Sequence, residues 1–244
     1  MSEVLEQSGR DRPVDPSAGP ARWRQTWHRL CFLHWPVPVN VLRLSVPMAL
    51  DIDTHDGTAW LAVTPFWMSG IIHSSVRLPL VPGFAELNVR TYVRHRDGPG
   101  VWFFSLDAGS YLAVLAARTL FHLNYVHAQM KVELRGEDAI TYFSQRSDGT
   151  TFAADYRPVG EPVRSTPGSL EAFLTERYRL YAWSKGQLYR SEIDHVPWPL
   201  QKAEADVGRN DLPAVNGVQV EGKPVAHYAR RLDVSIWPLV KVAP

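Results

Sequence analysis

Apolar and polar residues alternate with a period of two again and again along this chain, far more often than with helical periodicity. From Leu87 to Arg94, Leu87, Val89, Thr91 and Val93 point one way, and Asn88, Arg90, Tyr92 and Arg94 the other. From Tyr125 to Leu134, Val126, Ala128, Met130, Val132 and Leu134 form an apolar face, and Tyr125, His127, Gln129, Lys131 and Glu133 a polar one. Strands patterned in this way lay their apolar face on a core. Further strands are expected over Trp27–Trp35, Ala59–Met68, Val101–Leu106, Ala139–Gln145 and Thr151–Arg157. Turns are expected at Asp97-Gly98-Pro99-Gly100 and Ser147-Asp148-Gly149. Helical pattern is confined to three places. Ser110–Phe121 is apolar almost all round, which predicts a buried helix. Ser169 is a candidate N-cap for a helix running to about Arg177, and a short helix is expected near Val39–Leu44. Trp-Pro pairs at Trp35-Pro36, Trp198-Pro199 and Trp237-Pro238 read as strand ends, since proline cannot donate to a ladder.

The N-terminal segment has almost no large apolar residue, so residues 1–20 are expected to be a disordered tail. The remainder, 21–244, has no repeat and no internal linker and is expected to form one domain. The fold class is α+β, mainly β: a large, mostly antiparallel barrel with helices packed on it.

Charge and cysteine content narrow the function classes. Lys+Arg 26 against Asp+Glu 25 leaves a formal charge of +1, which argues against a nucleic-acid or anionic-membrane binder. The strongly apolar run Tyr111–Ala117 is far shorter than the ~18 residues a membrane span needs. With no apolar signal core at the N-terminus and a single cysteine, Cys31, the expected location is the cytoplasm. Phosphate-loop, dinucleotide, nucleophile-elbow and zinc-protease motifs are missing from the sequence. The nine histidines are dispersed and lack the i,i+2 or i,i+4 spacing of paired ligands, so neither a metal nor a cofactor is expected.

Two polar strand faces remain as candidate chemistry: Glu86, Asn88, Arg90 and Tyr92 on one strand, and Tyr125, His127 and Gln129 on the other. Periodicity leaves them open between an outward, solvated face and the lining of a barrel interior. If they point inward, Arg90 can hold a carboxylate and His127 or Tyr125 can transfer a proton. Arg118 interrupts the apolar helix, and in a buried helix it needs a partner, by default a structural ion pair.

The segments Trp27–Val37, Ala59–Phe66, Glu86–Val93, Gly100–Ala108, Leu170–Tyr178 and His195–Leu200 resemble, in order, the DUF2071 family of YqjF-like bacterial proteins, a likeness covering about residues 23–240. That family is related in fold to acetoacetate decarboxylase, which implies a closed, cone-like β-barrel with a ligand cavity and favours the inward orientation of both polar faces. In the decarboxylase, a G-R-E-I-W-G-F-P-K-K segment supplies two adjacent lysines, of which the first forms an imine. The matching stretch here is Ala117–Val126, and Tyr125 and Val126 stand where the lysines would be. Imine chemistry at that position is therefore impossible.

The resulting expectation is a barrel cavity that binds a small carbonyl- or carboxylate-bearing molecule. In it Arg90 holds an anionic group with Asn88 beside it, Tyr125 polarises a carbonyl, Glu86 or His127 moves a proton, and Arg118 is a supporting ion. Any catalysis would be of the acid–base lyase or isomerase type. The alternative is a non-catalytic binding or sensing protein with the same cavity. The sequence names no macromolecular partner and leaves the oligomeric state open.

Overall fold

The computed structural model describes residues 19–74, 76–77 and 83–243. Most of the expected tail lies outside the described residues. Strands dominate. They are β1 (Trp23–Val37), β2 (Asp51–Ile52), β3 (Ala59–His73), β4 (Val76–Arg77), β5 (Phe84–His95), β6 (Gly98–Ala108), β7 (Tyr125–Arg135), β8 (Ala139–Arg146), β9 (Thr151–Val163), β10 (Arg179–Ser184), β11 (Gln187–Asp194), β12 (Leu200–Asn210), β13 (Val225–Ile236) and β14 (Val240–Val242). The helices are α1 (Val39–Arg43), α2 (Tyr111–Phe121), α3 (Leu170–Thr175) and α4 (Leu212–Val215). None of them is long and apolar enough to cross a membrane.

All the strands belong to one sheet, and its pairings bring the sheet back on itself in two circuits. One runs β5–β6–β7–β8–β9–β12–β13–β1–β3 and returns to β5. The other runs β6–β10–β11–β13–β1–β3–β5 and returns to β6. The second closes through short contacts: Leu180 and Tyr181 of β10 lie parallel to Val101 and Trp102 of β6, and Ile193 and Asp194 of β11 lie against Ile236 and Ser235 of β13. Gly100 permits the β6–β10 approach, since a Cβ there would stand 2.9 Å from the Arg179 carbonyl oxygen and 2.7 Å from the Tyr181 ring.

The shared wall β13–β1–β3–β5–β6 separates two cores. Toward the first circuit point Leu33 and Trp35 of β1, Leu61 and Val63 of β3, and Leu87 and Val89 of β5. They meet Tyr142, Phe152 and Tyr228. Toward the second point Leu30 and Phe32, Phe66 and Met68, with Leu180, Ile193 and Trp198. Along β1 the cavity-facing parity changes: Gln25 and Trp27 face the second circuit, and so does Leu30. The change occurs at a β-bulge around Arg29, which sits at φ 52 and whose carbonyl accepts the Tyr156 hydroxyl.

Several sequence expectations meet the structure with differences. The β5–β6 turn is Arg96-Asp97, because His95 already pairs with Gly98. The hairpin at Ser147-Asp148-Gly149 forms as read. Helix α2 starts behind Ser110, whose hydroxyl accepts the Ala113 N–H at 3.3 Å. It is not buried: Tyr111, Leu112 and Leu115 are exposed, and Val114 is its buried contact. It joins β6 to the parallel β7, and a parallel crossover must pass outside the sheet. Arg118 is accordingly exposed and donates from Nε to the Tyr125 carbonyl at 2.6 Å.

The first circuit is tied across β7 by a buried ion pair. Arg146 of β8 makes a two-pronged contact to Asp107 of β6, with Nη2 at 2.6 Å, and Nη2 also donates to Ser105. Burial pushes the Asp107 carboxyl up even though the Arg146 bonds pull it down, so the pair gains little net stability over an apolar pair. Removing one partner alone leaves a bare buried charge. Asp107→Asn is expected to lower unfolding stability by about 3–5 kcal/mol in urea titrations, and Asp107→Asn with Arg146→Met is expected to recover most of that loss.

Candidate functional site

A cavity of about 80 Å³ lies inside the second circuit. Strand β5 supplies its polar floor. Glu86, Asn88 and Arg90 all face into it, because β5 has its alternate residues packed in the first core and no face left for solvent. Thr64, Phe66 and Met68 come from β3, Trp27 and Leu30 from β1, and Phe103 and Leu106 from β6. Tyr125 enters from the first position of β7. The segment after α3 adds Arg177, and the one after β11 adds His195 and Trp198.

At one end, the Tyr125 hydroxyl donates to Glu86 Oε2 at 3.2 Å. Glu86 is only 3% exposed. Burial pushes its carboxyl up to about 8, with the Tyr125 hydrogen bond opposing and Asp107 adding to the rise. Burial, and after it the Glu86 charge and hydrogen bond, pushes the Tyr125 phenol well up. At neutral pH the pair is therefore an uncharged acid beside an uncharged phenol.

At the other end are two buried guanidinium groups with different surroundings. Arg177 is neutralised: Nη1 meets Asp53 Oδ2 at 2.7 Å, and Nε donates to the Phe173 carbonyl. Arg90 lies with its guanidinium carbon 5.3 Å from the Phe32 ring centre and enters no ion pair among the described residues, and its buried Nε has no hydrogen-bond partner. The Asn88 Oδ1 and Thr64 Oγ1 atoms are likewise buried without a partner. Tyr92, next on the β5 face, lies within side-chain hydrogen-bonding reach of Arg90 and is held by further bonds. His34 Nε2 lies 2.7 Å from its hydroxyl, which itself donates to the Leu174 carbonyl.

The structure thus brings Glu86, Asn88, Arg90 and Tyr125 into one cavity. His127 and Arg118 stand outside it. The polar residues of β7 beyond Tyr125 face outward: His127 is exposed and packs on Tyr111 at 5.9 Å between ring centres, while Ala128 is buried and Met130 and Val132 pack against the first core. Only the start of β7 borders the cavity, because the strand pairs with β6 over Leu106–Ala108 alone and continues with β8. Arg118 supports Tyr125 only through its carbonyl, from the outer surface. Sequence reasoning missed Arg177, His195 and Trp198 as wall residues. His195 is buried, donates from Nδ1 to the Val196 carbonyl at 2.8 Å and stacks on Tyr178. The available signal was the Trp198-Pro199 pair, read as a strand end; it both precedes β12 and places an indole in the wall. Among the described residues no three His, Cys, Asp or Glu side chains converge as a metal site.

The DUF2071 family model, described as an uncharacterized conserved protein, matches residues 24–233. The "Uncharacterized protein YqjF" of Bacillus subtilis (strain 168) is 46% identical over 224 residues, spanning 89% of this chain and 91% of that protein. The chain belongs to the DUF2071 family. Among solved structures, the enduracididine biosynthesis enzyme MppR complexed with pyruvate aligns at TM-score 0.67 with 9% identity, covering 92% of this chain and 91% of that one. Acetoacetate decarboxylase from Legionella pneumophila aligns at TM-score 0.64 with 12% identity, covering 91% and 87%. The fold is acetoacetate-decarboxylase-like.

Glu86 makes stability depend on pH. Its carboxyl titrates near 4.5 when solvated and near 8 when folded, so between these values the folded state alone holds the proton. The contribution is full below about pH 4.5 and is lost as pH rises through about 8, at no more than about 1.4 kcal/mol per pH unit. Glu86→Gln keeps a neutral amide in that place. Its melting temperature is expected to track the parent near pH 4.5 and to exceed it near pH 8.5, as read by calorimetry across that range.

Proposed function

We propose that the cavity binds a small monoanionic carbonyl compound, its carboxylate on Arg90 and its carbonyl facing the Glu86–Tyr125 pair, and that the pair performs acid–base chemistry without an imine. The observation that carries this reading is the buried Arg90 guanidinium, which enters no ion pair among the described residues, sharing a cavity with an uncharged acid. An ionised partner on Arg90 removes the cost of that buried charge. The volume suits on the order of half a dozen non-hydrogen atoms, the size of a short 2-oxo acid. Pyruvate is the ligand of the MppR complex, which supports this size and class for a cavity of the same fold.

Protonated Glu86 can donate its proton to the carbonyl oxygen while the adjacent carbon loses a proton to water, giving an enol; solvent then returns a proton to Glu86. Tyr125 holds Glu86 through Oε2 and leaves the other oxygen for the ligand. No amine competes, because Lys131, Lys185, Lys202, Lys223 and Lys241 are all exposed and none lines the cavity.

Three measurements test this. Pyruvate is expected to bind in calorimetric titrations, and Arg90→Met is expected to weaken it at least tenfold, in line with about 1.5–3 kcal/mol for a charged hydrogen bond. Unaltered binding in Arg90→Met would sink the carboxylate assignment. Exchange of the pyruvate methyl protons in deuterated water, followed by NMR, is expected to be accelerated, to be lost in Glu86→Gln, and to fall above about pH 8 as Glu86 loses its proton. Binding without exchange leaves the non-catalytic binding or sensing function instead. Borohydride added to the protein with acetoacetate is expected to give no lysine adduct by mass spectrometry; a single stoichiometric adduct would revive imine chemistry.

A further inference from the structure

Strand β6 has two parallel neighbours on one edge. Strand β10 pairs with it at Val101 and Trp102, and β7 at Leu106, Asp107 and Ala108. Phe103, Phe104 and Ser105 lie between, with no strand partner on that edge. The gap is filled by the linker between α2 and β7. The Leu106 N–H donates to the Asn124 carbonyl at 2.9 Å, and Asn124 Nδ2 donates to the Phe104 carbonyl at 2.9 Å. The linker begins at His122, which is left-handed at φ 50 and ends α2. His122 and Asn124 are exposed.

On the far side of this linker lies an open cleft of about 520 Å³, walled by Trp102, Trp183 and Asn216. Phe103 and Leu123 belong to the lining of both the cleft and the cavity. They are the partition between a large open space and a smaller, more enclosed one. The opposite, half-exposed rim of the cavity carries Gln25, Trp27 and Phe121, where Trp27 Nε1 donates to Gln25 Oε1 at 2.9 Å along the same strand and Trp23 packs on Phe121 at 5.7 Å between ring centres.

We propose that ligands reach the cavity through the gap between β7 and β10, that the Asn124 side chain holds this passage closed, and that Phe103 limits the width of what passes. Parting the linker breaks the Asn124 side-chain bond and the Leu106–Asn124 backbone bond, at about 1 kcal/mol each, and leaves the strand ladders on either side intact. Phe103, fixed on β6, stays in the passage when Asn124 lets go. Phe103 is then a specificity-determining residue that admits short 2-oxo acids and turns away those with an aromatic substituent. This rests on the cavity being a ligand site. Access itself can be measured without any ligand.

Thr64 lines the cavity, is 1% exposed and has no partner for its hydroxyl, so Thr64→Cys places a thiol inside with little change of shape. Native Cys31, fully buried in the first core and with its thiol pushed up by burial, reports any global unfolding. The Thr64→Cys protein is treated with methyl or benzyl methanethiosulfonate, and labelling is mapped by mass spectrometry. Adding Asn124→Ala is expected to accelerate methyl labelling of position 64 at least tenfold, with benzyl labelling at least tenfold slower than methyl. Adding Phe103→Ala, or Leu123→Ala if that variant labels at Cys31, is expected to bring the benzyl rate within threefold of the methyl rate. Gln25→Ala, on the opposite rim, is expected to change neither rate more than twofold. No acceleration by Asn124→Ala, equal acceleration by Gln25→Ala, or an unchanged benzyl penalty after widening the partition each overturns the proposal. Failure of pyruvate to bind would overturn the ligand assignment and leave these labelling rates as they are.

Discussion

Strand β5, in the wall shared by the two circuits, has no side that faces water from Phe84 to Val93. Every residue of β5 from Phe84 to Val93 is buried, yet Glu86, Asn88 and Arg90 carry strong polar groups. A buried polar group must be paired, neutralised or supplied with a ligand. The fold answers differently at each position. Glu86 keeps its proton and takes a hydrogen bond from Tyr125. Arg177, across the cavity, takes Asp53. Arg90 rests against the Phe32 and Tyr92 rings and has no counter-ion among the described residues. The character of the site follows from this unequal satisfaction of charges on a strand that cannot turn them outward.

How far the sequence could show this depends on the strand. Alternation identified β5 and β7 correctly as strands, and the two carry equally clean polar faces. On β5 that face looks into a cavity; on β7 everything past Tyr125 looks into solvent. Periodicity reports that two faces differ and says nothing about what lies beyond each. The missing information is long-range: β5 is flanked over its length by β3 and β6, and both of its faces are covered by distant segments, whereas β7 leaves β6 after three residues. The likeness to a cavity-bearing fold tipped both faces inward, which placed Glu86, Asn88, Arg90 and Tyr125 together and misplaced His127.

Other parts of the site were hidden for local reasons. The bulge at Arg29 reverses the facing of β1, so that no single parity along Trp23–Val37 could have placed both Trp27 and Leu30 on the cavity. Helix α2 reads as a core helix by composition, yet a connection between two parallel strands has to pass outside them, and its apolar residues are left partly bare. Arg177 and His195 come from segments between regular elements, where no periodicity exists to be read. Single-residue chemistry in such segments is legible only once the strands around them are closed.

A cavity lined by no lysine differs in electrostatics as well as in nucleophile from one that holds an amine. A cavity with an imine-forming amine and a neighbouring cation would carry positive charge where Tyr125 stands. Here the Tyr125 end is neutral, and Arg90 at the other end is the guanidinium without an ion pair among the described residues. Such a cavity favours a monoanion and orients it, since only one end attracts the carboxylate. A bound anion in turn disfavours ionisation of Glu86, because a second negative charge in the same low-dielectric space is repelled. On the proposed reading, anion binding and the Glu86 proton are thermodynamically coupled: the ligand that Arg90 captures keeps the acid protonated that its carbonyl needs. On that reading, one cation and one neutral acid on a buried strand face couple capture of the ligand to retention of the proton.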